Sequence, residues 1–154
     1  QEQQRGNAQG LPKVAWTWAA GKLFVTQPWN KRLAVLDPES LRRVASVALP
    51  GSPASVVYSP TGREVWVVMT SEAGAPARVQ ALAALTLELR SSFELPAQSA
   101  HISFTPYGPY AIASAELEDQ LFLFDARRHE LLASAALRAP ARALGPWRAL
   151  RADL

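Results

Sequence analysis

Two histidines are the side chains best suited to coordination or proton transfer in this 154-residue chain, which contains no cysteine. His101 stands at the start of a strand-type run, and an imidazole at the mouth of a concave surface can ligate a metal or the iron of a cofactor. A lone histidine more often makes a structural hydrogen bond, so both interpretations of His101 stay open. His129 lies beside Arg127, Arg128 and Glu130, a setting typical of a solvated loop. With no other histidine at ligand spacing, the sequence does not favour a self-contained zinc or copper site.

Carboxylates and indole rings are the remaining side chains with a clear use in ligand binding. Glu116, Glu118 and Asp119 cluster on one predicted turn. Their oxygens could hold a cation, although three acids at a hairpin tip are usually solvated. A tryptophan near a channel could stack on a planar tetrapyrrole, but packing between sheets is the commoner use of such a ring. The five tryptophans are Trp16, Trp18, Trp29, Trp66 and Trp147.

Composition and missing motifs exclude several classes of function. The chain carries 16 lysines and arginines against 13 acidic residues, and its net charge of +3 is too small for a nucleic-acid footprint. Without cysteine there is no disulfide, thiolate nucleophile, cysteine-ligated metal or covalently attached c-type haem. The sequence also lacks the phosphate-loop, dinucleotide-binding, zinc-protease and serine-hydrolase signatures. Whether the chain catalyses a reaction is therefore left open.

An internal repeat determines which elements must position these residues. Leu36 to Leu49 aligns without gaps with Leu82 to Leu95 and with Phe124 to Leu137. Directly after the first two of these blocks, Pro50 to Gly62 aligns with Pro96 to Gly108. Length varies mainly in one stretch rich in glycine, alanine and proline, which predicts an exposed hairpin loop.

Each repeat holds four short strand-type runs separated by proline or glycine. In the second repeat these runs span 55–59, 64–69, 78–82 and 88–95. The Val-Trp-Val-Val-Met of 65–69 is typical of a buried central strand. Four antiparallel strands in a period of roughly 40 to 50 residues predict the blades of a β-propeller. The alanine-rich stretches 79–89 and 131–137 offer a helical alternative, which fails because neither reaches the ~12 residues of a stable helix.

We therefore predict an all-β chain of about three blades of four antiparallel strands, at 13–49, 50–95 and 96–137. Residues 1–12 are expected to form a disordered N-terminal segment, and 138–154 a basic tail or the start of a further blade. Propellers typically close with 4 to 8 blades, and unpaired sheet edges tend to pair with other strands. We expect this chain to belong to a longer propeller, or to be completed by another protein chain or by self-association, two copies giving six blades.

The chain begins without methionine and with polar residues. We expect this start to follow a removed secretory segment, which predicts a periplasmic or extracellular location. No stretch approaches the roughly 18 consecutive apolar residues of a membrane span. Neither a membrane span nor a nucleic-acid partner is therefore expected.

The repeat resembles the YVTN propeller family over about residues 13 to 137. The matching features are the valine-rich run Gly62 to Val68, the strand ends Leu36-Asp37 and Phe124-Asp125, and the Ser-Pro-Thr-Gly turn at 59–62. The resemblance implies a propeller that serves as an extracytoplasmic binding or scaffolding module.

Three positions depart from the YVTN pattern. Thr61 and Tyr107 replace the aspartate of the turn, and Ala83 replaces the aspartate at the strand end of the second repeat. We expect hydrogen bonding between blades to be weaker at these positions, while the strand count is unaffected.

A narrower resemblance connects the inner strands with the heme d1 proteins, namely the dissimilatory nitrite reductases and their maturation relatives. The run Ala100-His101-Ile102-Ser103 and the run from Ala54 to Pro60 carry it. In that family a histidine at the entry of an inner strand ligates the haem iron. The resemblance therefore implies, as an alternative function, a heme d1-binding propeller with His101 as cofactor-binding and metal-ligating residue.

Overall fold

The computed structural model describes residues 13–70 and 74–138, and in these residues every regular element except one short 3-10 turn is a strand. The expectations for residues 1–12 and 139–154 lie outside the described residues. The 3-10 turn spans Pro28–Asn30. The strands are β1 (Trp16–Ala19), β2 (Lys22–Gln27), β3 (Arg32–Leu36), β4 (Arg43–Ala48), β5 (Ser52–Ser59), β6 (Glu64–Thr70), β7 (Arg78–Ala83), β8 (Leu89–Glu94), β9 (His101–Phe104), β10 (Tyr110–Ala115), β11 (Gln120–Asp125) and β12 (Glu130–Ala136).

These strands form three antiparallel sheets, each made of four strands that are consecutive in the chain. The sheets β1–β4, β5–β8 and β9–β12 are called the first, second and third blade below, and each lies within one of the predicted repeats. The first strands of the blades lie side by side, since β5 contacts both β1 and β9. The blades therefore radiate from a line of inner strands, and the predicted all-β fold is confirmed.

The alanine-rich stretches form strands and not helices. They contribute β7 and β12, and both strands pair along their length with the preceding strand of their sheet. In the described residues no helix is long or apolar enough to cross a bilayer.

The strand β6 is buried on both faces, as its apolar run predicts. Val65, Val67 and Met69 pack in the seam against the first blade, here called seam 1–2. Trp66 and Val68 point the other way and pack in seam 2–3, against the third blade. Because side chains alternate along a strand, one strand supplies both cores.

Seam 2–3 is organised around one aromatic ring. Trp66 is fully buried and meets Phe93 edge-on with ring centroids 5.3 Å apart. It meets Phe104 of the third blade in the same way at 4.8 Å. Opposite this ring the third blade presents small side chains, among them Ala111 and Ala113. Large side chains on one blade thus fill the space left by small ones on the next.

The outer turn between the third and fourth strand of each blade has the same conformation in all three repeats. Leu41, Leu87 and His129 occupy the equivalent place, and their φ angles are 57°, 65° and 59°. The amide of each donates to the carbonyl four residues earlier, which belongs to Asp37, Ala83 and Asp125 respectively.

The strand-end aspartates stabilise their own turns. One carboxylate oxygen of Asp37 accepts hydrogen bonds from the amide of Ser40 at 2.9 Å and from its hydroxyl at 2.7 Å. These bonds hold the pKa of Asp37 below its ordinary value, and the bond from the amide contributes most. Asp125 accepts in the same way from the amides of Arg127 and Arg128. With Ala83 in the equivalent position, the second blade lacks this contact within its own turn. The expectation that replacing the aspartate weakens hydrogen bonding between blades is therefore wrong.

The turn at 59–62 also differs from expectation. The hydroxyl of Thr61 donates to the carbonyl of Gly108, 3.0 Å away in the corresponding turn of the third blade. The threonine that replaces the family's aspartate therefore makes a hydrogen bond between blades. A hydroxyl is short enough for this turn and can donate, which an ionised carboxylate cannot.

Candidate functional site

The inner strands enclose a concave surface on the axis of the radiating blades. Its volume is about 510 Å³, and β1, β5 and β9 all contribute to its lining. The first blade supplies Trp16 and Thr17, and the second supplies Ser55 to Tyr58. The third blade supplies the whole of β9, from His101 to Phe104. We call this surface the axial concavity.

His101 lies in the axial concavity, as the first residue of β9. It pairs with Ser114 of β10, whose hydroxyl donates to the His101 carbonyl at 3.4 Å. The side chain is exposed, and within residues 13–70 and 74–138 its imidazole makes no hydrogen bond or ion pair. In the described part of the chain this imidazole is thus free to meet a ligand.

The donor set around His101 limits the kind of metal it could hold. In the part of the chain that the structure describes, no three histidine or acidic side chains come together as a metal site. A metal held by His101 would therefore have to bring most of its ligands with it. The iron of a tetrapyrrole does so, because the macrocycle fills the equatorial positions and leaves an axial one for a histidine. Trp16 in the same concavity adds an indole ring that can contact a planar ligand.

The acidic turn of the third blade does not form a cation site. Glu118 accepts a hydrogen bond from the amide of Gln98 at 2.8 Å. Asp119 pairs with the guanidinium of Arg138 at 3.1 Å. Glu118 and Asp119 thus have different partners, and within the described residues no three acidic or histidine side chains come together here as a metal site.

His129 is not the solvated loop histidine that its charged neighbours suggested. Its Nε2 lies 3.0 Å from Oε1 and 3.2 Å from Oε2 of Glu64, which belongs to the second blade. The Glu64 side chain is only 2% exposed and that of His129 14%. The His129 ring also lies against Trp66, with centroids 5.6 Å apart. The left-handed backbone at position 129 turns the side chain back into seam 2–3, away from its charged neighbours.

A signal for this placement existed in the repeat. His129 aligns with Leu87, and Leu87 packs in seam 1–2 against the first blade. An apolar residue at the equivalent position indicates that the side chain there faces the preceding blade. The charged residues on either side of His129 suggested a solvated loop instead.

Among the described tryptophans, one is buried in the core and three are exposed. Trp66 is a core residue, whereas Trp16 and Trp18 are 67% and 53% exposed on β1. Trp29 is exposed on the 3-10 turn. Trp147 lies outside the described residues.

Comparison with known proteins finds β-propellers of more than one kind. No model of a known protein family matches the chain. Protein NirF of Stutzerimonas stutzeri is 26% identical over 117 residues, which make up 76% of this chain and 29% of NirF. The propeller domain of Cps50 (Swd1) from Myceliophteria thermophila superposes with a TM-score of 0.64 at 17% identity, over 88% of this chain and 44% of that one.

A third similar protein is the dihydro-heme d1 dehydrogenase NirN, whose structure was determined in complex with DHE. It superposes with a TM-score of 0.64 at 17% identity, over 79% of this chain and 27% of NirN. The chain is a set of β-propeller blades that resembles the heme d1 family. It spans less than half of the length of each of these relatives.

Proposed function

We propose that these blades form a tetrapyrrole-binding module of the heme d1 type, in which the axial concavity holds the macrocycle and His101 supplies an axial ligand. The observation that carries the proposal is the free, exposed imidazole of His101 on a surface shared by all three inner strands. The likeness to NirF and NirN supports it. The proposal includes the extracytoplasmic location that the YVTN resemblance implies.

The residues of the concavity have complementary tasks in this proposal. The bound iron would supply ligand-binding or redox chemistry, and the chain would supply orientation. Val56 and Ile102 line the concavity only with their strands, because their side chains are buried in the seams, and there they fix the position of β5 and β9. Trp16, exposed on β1, belongs to the lining that the first blade contributes. His101 would hold the iron.

A binding titration tests the proposal. Purified protein is titrated with heme d1 while the absorption spectrum is recorded, and the same is done with His101→Ala. We expect saturable binding with a Soret band that the alanine variant shifts, together with at least a tenfold weaker affinity. Ser103→Ala is the matched control, because Ser103 is exposed on the same strand two residues further on and lines the same concavity.

Two results would overturn the proposal. Heme d1 that does not bind at all would leave a binding or scaffolding module without a tetrapyrrole, in which protein partners contact the exposed loops. Binding with a spectrum that His101→Ala leaves unchanged would remove His101 from the site.

A further inference from the structure

A second cavity lies between the first and second blades, beside the turns that follow their inner strands, and we call it the turn cavity. Its volume is about 350 Å³. The first blade supplies Ala20 to its lining, and the second blade supplies the turn residues 83–86 together with Tyr58, Arg63 and Arg90. His101 does not belong to this lining, so the turn cavity is separate from the axial concavity's candidate ligand.

Positive charge distinguishes the turn cavity. Arg63 and Arg90 both line it, and among the described residues of the lining none is acidic. Arg90 donates to the carbonyl of Gly62 at 2.7 Å. Arg63 is exposed, and within residues 13–70 and 74–138 its guanidinium makes no hydrogen bond or ion pair. A guanidinium in this state is available to an oxyanion, which its planar array of donors suits.

The outer turns of the first and third blades contain their own carboxylate acceptor. Asp37 accepts a hydrogen bond from the amide of Ser40 at 2.9 Å. One carboxylate oxygen of Asp125 accepts from the amides of Arg127 and Arg128, also at 2.9 Å. In both blades a carboxylate is thus the partner that these turn amides take.

The corresponding turn of the second blade keeps the backbone but lacks the carboxylate. Leu87 has a φ of 65° and donates to the carbonyl of Ala83, as its equivalents do in the other turns. Leu85 and Thr86 hold the places of the bonded residues of the third blade. Within the described part of the chain, the amide of neither donates a hydrogen bond. Both residues line the turn cavity, so two unused amide donors lie beside the free guanidinium.

Glu64 lies close to this turn but its carboxylate is turned elsewhere. It pairs with Ala83 across β6 and β7. Its two oxygens lie 3.0 and 3.2 Å from Nε2 of His129, within seam 2–3. The turn cavity instead opens beside Tyr58, which packs in seam 1–2. Glu64 therefore does not supply the acceptor that the turn lacks.

The remaining lining suits a short apolar chain. Ala20, Ala84 and Leu85 are apolar, and Leu85 is 80% exposed. The volume lies near the lower end of the range for small-molecule sites, which are mostly apolar with a few placed polar groups. An inorganic anion would leave this apolar surface uncovered.

We propose that the turn cavity binds a small organic carboxylate. One ligand oxygen takes the place that the Asp125 carboxylate holds in the third blade and accepts from the amides of Leu85 and Thr86. The guanidinium of Arg63 pairs with the carboxylate, and the apolar part of the ligand lies against Leu85. The site involves neither His101 nor a tetrapyrrole, so it is independent of the proposed function.

An NMR titration that resolves single amides tests the proposal. Proton–nitrogen correlation spectra of the protein are recorded while butyrate is added. Butyramide, sodium chloride and inorganic phosphate are added to separate samples. We expect saturable shifts of the Leu85 and Thr86 amides with butyrate. The neutral butyramide and sodium chloride should not reproduce them, and phosphate should bind about tenfold more weakly or less, because it gains no apolar contact.

Two variants locate the ligand. Ala83→Asn places a side-chain carbonyl where the third blade has its carboxylate, so it should occupy both amides and weaken butyrate binding about tenfold. Asparagine is used because an aspartate at position 83 would face Glu64 across the strands. Arg63→Gln removes the free guanidinium and should weaken binding by a similar factor. Ser134→Asn, at an exposed position on the outer strand of the third blade, is the matched control and should bind butyrate as the wild type does.

Far-UV circular dichroism establishes whether each variant is folded. Should Ala83→Asn not fold, the wild-type amide shifts and Arg63→Gln decide the outcome. The site is overturned if butyrate causes no saturable shift, or if butyramide or phosphate binds as well as butyrate. Butyrate binding that either folded variant leaves unchanged overturns it too. Heme d1 enters none of these measurements, so the proposed function is tested separately.

Discussion

Glu64 and His129 form a buried contact of 3.0 Å between the second and third blades. The guanidinium of Arg90 approaches the other carboxylate oxygen at 3.8 Å and donates to the carbonyl of Gly62 at 2.7 Å. Arg90 is half exposed and approaches Glu64 from the solvent side, while the imidazole of His129 contacts the carboxylate from within the seam. The carboxylate is thus held by two blades at once.

Removal of the imidazole should destabilise the fold. His129→Ala leaves the Glu64 carboxylate buried without its closest partner, and we expect the free energy of unfolding to fall by about 1–3 kcal/mol. Urea unfolding followed by circular dichroism measures this change. His101→Ala serves as the control and should stay within about 0.5 kcal/mol of wild type, as is usual for exposed positions. Equal effects of the two substitutions would contradict the role assigned to the Glu64–His129 contact.

Trp66 should be far more important for stability than the exposed Trp29. We expect Trp66→Ala to lower the free energy of unfolding by about 3–5 kcal/mol, because it empties the centre of seam 2–3. Trp29→Ala should change it by less than about 0.5 kcal/mol. Thermal or urea unfolding of both variants makes the comparison, and a small effect at Trp66 would show that seam 2–3 is not packed as described.

The hydrogen bond from Thr61 to Gly108 predicts a moderate effect. Thr61→Val keeps the shape of the side chain but removes the donor, and we expect a loss of about 0.5–1.5 kcal/mol in the free energy of unfolding. Thr86→Val is the control, since the Thr86 hydroxyl only accepts a 3.4 Å contact from Glu88 within its own turn. The idea fails if Thr61→Val is as stable as wild type.

The Asp37 turn predicts a dependence on pH. Because hydrogen bonds from Ser40 lower the pKa of this carboxyl in the folded chain, its contribution to stability is present above the unfolded pKa. That contribution is lost as the pH falls through the folded pKa. NMR titration should find Asp37 below the ordinary value of 3.8, and Ser40→Ala should raise its pKa. A titration of Asp37 that Ser40→Ala leaves unchanged would exclude these bonds as the cause.

Much of the blade architecture was predictable because it depends on local signals. Proline and glycine separate the strands, and the run 65–69 is apolar at every position, as a strand buried on both faces must be. His101 was recognised from its place before an inner strand, and its role as a ligand stays a prediction.

Only the structure revealed the contacts between blades. His129 looked solvated because its sequence neighbours are charged, yet its contact partner is Glu64, 65 residues earlier. Thr61 looked like the loss of a bond, yet its acceptor lies in the next blade. Such contacts join residues about one or more repeats apart, and no local pattern specifies them.

The sequence by itself determined the number of strands, their grouping into repeats and the turns that connect them, since each depends on residues within a few positions of one another. Only the tertiary structure decided which face of each strand meets which neighbour. Alternation divides a strand into two faces but does not identify the blade opposite either of them. For that reason the division of β6 between seam 1–2 and seam 2–3 became visible only in the tertiary structure.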